Sequence, residues 1–84
     1  MLDEKKILIK KLKYRSRYMG CKENDLLFGN FAENNLHNFS LDGLKLYKES
    51  MKNDDETLLS WIYKPKLVPK KFHTIINKIR KYKI

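Results

Sequence analysis

Three places in the chain carry side chains that could do acid–base, nucleophilic or metal chemistry: Cys21, the pair His37 and His73, and the run Asp54-Asp55-Glu56. A cysteine becomes a nucleophile when a neighbouring cation or helix end lowers its pKa and a base takes its proton. Cys21 follows Gly20 and precedes Lys22, but no histidine lies near it in sequence, so it reads as a loop thiol. The two histidines are 36 residues apart, with no cysteine or carboxylate at ligand spacing beside either, so no metal is expected. Three acids in a row suit the first turn of a helix, where they cap it and face its positive end. No glycine-rich phosphate cradle and no nucleophile–base pair is present. The chain is therefore expected to act by binding another macromolecule, without an active site or a cofactor of its own.

Length supports the same expectation. Eighty-four residues make one domain with a thin core. A single cysteine excludes an internal disulfide and fits a reducing compartment. The longest apolar runs, Ile7-Leu8-Ile9 and Leu26-Leu27-Phe28, fall far short of a membrane span, and no signal-peptide core is present. Asp3, Glu4 and a lysine bias argue against a mitochondrial presequence, so cytoplasm is the expected location. The net charge of +9 is unevenly spread: +5 over residues 1–18, −4 over 19–57 and +8 over 58–84. A basic chain of this kind could meet nucleic acid, anionic lipid or an acidic protein face.

The elements that must position these residues are all helical. The first helix, Asp3 to Tyr18, carries Ile7, Leu8, Leu12, Tyr14 and Tyr18 as its apolar face and stops at Gly20. The second runs from Asn24 or Asp25 to Asn38. Its Phe28, Phe31, Ala32, Leu36 and Phe39 fall on one helical stripe, and Gly29 permits a close crossing. Ser40 caps a third helix, Leu41 to Lys52, with Leu41, Leu44, Tyr47 and Met51 inward. A fourth, short helix follows Asn53-Asp54-Asp55, buries Leu58, Leu59, Trp61 and Ile62, and closes at Pro65. After a stiff connector, a basic fifth helix spans about 71–82 and turns Phe72, Ile75, Ile76, Ile79 and Tyr82 inward. Short loops imply antiparallel neighbours. The expected fold is all-α, a single small antiparallel bundle of about five helices over residues 1–84, with its core in 5–63.

The stretch Tyr14-Arg15-Ser16-Arg17, then Gly20, Glu23, Asp25 and Phe31-Ala32-Glu33, resembles the SdhE-type flavinylation factors of succinate dehydrogenase. So does Asp54-Asp55-Glu56-Thr57-Leu58-Leu59-Ser60-Trp61, which matches that family's Asp-Asp-x-x-Leu-x-x-Trp pattern. The likeness covers about residues 7–63. It implies a helical bundle that binds the flavoprotein subunit of succinate dehydrogenase, or of fumarate reductase, and promotes covalent attachment of FAD. The FAD and its acceptor histidine would belong to that client, and the factor would be monomeric when free, with no membrane insertion. Carried onto this chain, the partner-binding residues would be Arg15, Arg17, Met19, Gly20, Glu23 and Asp25. Met19 stands where the family motif begins with Arg, and a thioether cannot make the bidentate contact of a guanidinium. The rival reading is nucleic-acid binding through the terminal helices, with Tyr14, Tyr18, Phe72 and Tyr82 interleaved among the cations.

Overall fold

In the computed structural model, which describes residues 3–18 and 22–82 (Glu23 in its backbone alone), five α-helices form one bundle. They are α1 (Glu4–Arg17), α2 (Lys22–Asn35), α3 (Leu41–Ser50), α4 (Asp55–Tyr63) and α5 (His73–Tyr82). Single 3₁₀ turns extend α2 at Leu36–Asn38, occupy the connector at Pro65–Leu67, and lead into α5 at Lys70–Phe72. Met19, Gly20 and Cys21 lie outside the described residues.

Local chemistry sets most of the boundaries. Asp3 caps α1 by accepting from the Lys5 N–H at 2.9 Å. Ser40 caps α3 through the Gly43 N–H at 3.1 Å. Asp54 caps α4 through the Thr57 N–H at 2.8 Å, and its hydrogen bonds to Thr57 hold its carboxyl below the usual range. Each side chain satisfies a backbone donor that a helix start would otherwise leave open. The acid run beginning at Asp54 is thus a helix start.

Phe31 on α2 sits at the centre. Its ring stacks on Tyr47 at 6.3 Å and meets Phe39 and Tyr82 edge-on at 6.0 and 5.8 Å. The whole expected stripe of α2, from Phe28 to Phe39, is buried, as are Leu44, Tyr47 and Met51 of α3. The core continues past residue 63 into Val68, Phe72, Ile75, Ile76 and Ile79, so α5 packs into the same cluster as α2. Trp61 lies 5.6 Å from Phe72, joining α4 to the approach to α5.

α1 is where the expectation fails. Tyr14 and Tyr18, assigned to its inner face, are 69% and 64% exposed, while Ser16 is fully buried. Leu8 and Ile9 pack partly against the core and Leu12 wholly. The inward line therefore runs Leu8, Leu12, Ser16, and the tyrosines ride the opposite side with their rings 4.7 Å apart. Gly29 of α2 marks where the two helices cross. A Cβ there would lie 3.4 Å from Cα of Arg17 and 3.7 Å from the Ser16 carbonyl oxygen, so α1 approaches α2 at backbone distance. The absent side chain of Gly29 leaves room for that approach, and the short Ser16 side chain is buried beside it. Tyr82, also expected inside, is 37% exposed.

Candidate functional site

The motif residues that are described lie on two helices: Arg15 and Arg17 in the last turn of α1, Glu23 and Asp25 at the start of α2. Of the six, Met19 and Gly20 lie outside the described residues, and for Glu23 only its place in the first turn of α2 is given. That turn begins at Lys22, ahead of the Asn24 or Asp25 start that the sequence suggests, so Glu23 is helical. Asp25 is half-buried on the next turn.

Arg15 does not present a free guanidinium. Its Nη2 donates to the Met51 carbonyl at 2.8 Å and to the Asn53 carbonyl at 3.3 Å, and lies 3.9 Å from the Asp55 carboxylate. It therefore serves the carbonyls at the end of α3, which have no acceptor role left within their own helix. Arg17 differs. It is half-exposed and pairs loosely with Glu33 at 3.7 Å, beside Lys13 at 3.8 Å from the same carboxylate. Surface pairs of this kind add little stability, which leaves Arg17 available to a partner.

Two residues missed in the sequence fix the corner from behind. Ser16 shares a buried 2.6 Å hydrogen bond with the Tyr47 hydroxyl. Asn24, fully buried in the first turn of α2, donates through Nδ2 to the Asp55 carbonyl at 3.0 Å. Both have a positional signal: Ser16 is four residues beyond Leu12 and Asn24 four before Phe28, on the apolar stripes. Arg15, Ser16 and Asn24 thus brace the end of α1 and the start of α2 against α3 and the α3–α4 junction. Beside the corner, Leu26 and Tyr63 are 57% and 58% exposed and flank a shallow groove of about 330 Å³ between α2, α4 and α5.

Such a surface can dock a protein. Among the described residues no group of three histidines, cysteines or acids could hold a metal ion, and His73 is engaged with the Val68 carbonyl at 2.9 Å. No described helix is long and apolar enough to cross a membrane. The four aromatics of the nucleic-acid reading do not share a face. Phe72 is in the core, and the Tyr82 hydroxyl accepts from Asn34 at 2.7 Å.

Comparison with known proteins agrees on one family. Residues 10–83 match the profile of a family described as flavinator of succinate dehydrogenase. The chain is 37% identical over 78 residues to the mitochondrial succinate dehydrogenase assembly factor 2 of Dictyostelium discoideum, covering 93% of this chain and 55% of that protein. It is 29% identical over 77 residues to the protein of the same name in Schizosaccharomyces pombe, covering 89% and 55%. For assembly factor 2-A of Drosophila yakuba the identity is 34% over 73 residues, covering 84% and 45%. The chain spans about half the length of these curated relatives. No solved structure matches it. The relatives are named as mitochondrial, which overturns the cytoplasmic expectation and points to mitochondria. That expectation rested on Asp3, Glu4 and the lysine bias of the first residues, which are also the start and the cationic face of a packed helix and so report on the fold, not on location.

Proposed function

Because the chain belongs to the family of succinate dehydrogenase flavinators, we propose that it is an assembly factor that binds the flavoprotein subunit of succinate dehydrogenase and promotes covalent attachment of FAD to it. The observation that carries this reading is the family match over nearly the whole chain. The braced α1–α2 corner is consistent with it. In this reading the motif residues Arg17, Gly20, Glu23 and Asp25 contact the client, with Leu26 exposed on α2, while Arg15, Ser16 and Asn24 hold the two helix ends in place.

Flavin and acceptor histidine both belong to the client, which supplies the bond-forming chemistry. The factor's share is positional. A rigid corner that binds one client conformation better than others raises the population of that conformation. If flavin and histidine lie in reacting geometry there, the step gains the advantage of orientation. Stiff backing matters because a corner that yields on contact selects no conformation.

The test is in-gel flavin fluorescence of the denatured client, produced with and without this protein. Covalent flavin is expected to rise when the protein is present. Equal fluorescence in both samples would sink the reading.

A further inference from the structure

The outward face of α1 is unused by the corner and by the core. Ile7 and Tyr14 are seven residues apart, two turns of helix, and so ride one outward line. They are 38% and 69% exposed. Lys6 and Lys10 flank this crest on one side and Lys11 on the other, all three exposed and lining one shallow surface with Ile7 and Tyr14. On the Lys11 side the band widens across to α3. Lys11, Lys45 and Lys48 share a concavity with Ile7 and Leu8, where Glu4 at one end is the acid present. Lys52 continues the row. Among the described residues none of Lys6, Lys10, Lys11, Lys45, Lys48 or Lys52 is in an ion pair. Lysines thus outnumber acids along the α1–α3 groove, with Glu4 at one end and Glu49 near Lys52, and an anionic partner would relieve their repulsion.

We propose that this face seats the protein on an anionic lipid bilayer, with Ile7 and Tyr14 entering the headgroup boundary and the lysines reaching the headgroups around them. Three features select this occupant. Stereospecific recognition of carboxylates favours the arginine fork, whereas the one arginine on this face, Arg15, is engaged with the carbonyls after α3 and the other cations lining it are lysines. Flexible, strongly hydrated ammonium groups suit a diffuse negative surface. The apolar crest between two cationic flanks is the pattern of a helix lying in a membrane interface, with lysine stems spread along the apolar boundary. A nucleic acid would leave Ile7 against phosphates and water.

The experiment is co-sedimentation of the full chain with vesicles of phosphatidylcholine alone, and with roughly 30% phosphatidylglycerol added, at about 0.15 M salt. Anionic vesicles are expected to retain at least about tenfold more protein than neutral ones. A Lys10→Glu/Lys11→Glu variant is expected to lose that retention with an unchanged helical circular-dichroism melt. The charge-matched Lys64→Glu/Lys66→Glu variant, altered on the connector after α4, is expected to keep it. Ile7→Ser is expected to release the protein at a lower salt concentration. Equal retention on the two vesicle types, or none on either, overturns the proposal. So does an equal loss from both charge variants, which would mean that binding reads net charge alone. Stronger binding to a short DNA duplex or to polyglutamate than to vesicles, unaffected by Ile7→Ser, would assign the face to nucleic acid or acidic protein and also overturn it.

Discussion

Arg15 and Glu23 belong to one motif, yet they are expected to fail differently when removed. Arg15 donates to two carbonyls at the end of α3 from the far end of α1. Arg15→Ala leaves those acceptors to water, at a cost of about 1–2 kcal/mol. In a domain of this size that lowers the melting temperature by roughly 4–15 °C. Covalent flavin in the client should fall with it, because the corner loses a brace. Glu23→Ala is expected to abolish client flavinylation while the melting temperature barely moves, since an acid at a helix start contributes under about 1 kcal/mol. Thermal melts followed by circular dichroism, alongside in-gel flavin fluorescence, separate the two. A Glu23→Ala protein that flavinylates fully would show that the corner is not the working surface. The sequence could not divide these roles, because a guanidinium in a basic run looks the same whether it meets water, a partner or an α3 carbonyl 36 positions away.

At the scale of elements, the α1–α2 crossing controls the site. Gly29 is helical, and a Cβ on it would make ordinary contact with Arg17 at 3.4–3.6 Å. Gly29→Ala should therefore be neutral or stabilising by up to about 1 kcal/mol, through helix propensity. Gly29→Leu has no room for its further atoms against the α1 backbone and is expected to destabilise by about 1–3 kcal/mol. It should also depress flavinylation more than its stability loss explains, because it lifts the end of α1 that carries Arg17. Urea unfolding of the three proteins checks the order Ala, Gly, Leu. A Leu variant as stable as the parent would mean that α1 does not approach as closely as described. The crossing was foreseeable from a glycine inside an apolar stripe, whereas its partner on α1 was not.

For the molecule as a whole, Tyr47 links stability to alkaline pH. Burial raises its pKa from the ordinary 10.0 to about 12, against the opposing pull of the Ser16 hydrogen bond and the Arg15 charge. The folded protein therefore keeps a proton that the unfolded chain gives up near pH 10. The stabilisation is complete below that pH and is lost as pH rises from about 10 through about 12, some 2–3 kcal/mol across the window. Urea midpoints from about pH 8 to about pH 12 should fall in the parent and fall by about that much less in Tyr47→Phe. The variant should start about 1 kcal/mol lower at neutral pH, because it strands the buried Ser16 hydroxyl. Parallel pH profiles for the two proteins would contradict a buried, protonated Tyr47.

What the residues determined by themselves is whatever acts over one or two helical turns. The caps at Ser40 and Asp54, the breaks at the prolines, the stripe from Phe28 to Phe39 and that from Phe72 to Ile79 all follow from neighbours in sequence. The motif that gives the family is likewise linear. The tertiary structure alone decided which side of α1 faces inward. Its lysine stems and tyrosines are amphipathic, so several rotations of the helix bury similar apolar area and the pattern carries no single answer. The choice falls to what waits on the other helices: a glycine at residue 29 that admits backbone, and a buried phenol at residue 47 that needs a hydroxyl partner. Ser16 supplies that hydroxyl on a side chain short enough to be buried at the crossing, and the tyrosines and Ile7 lie outside while Arg15 reaches the end of α3.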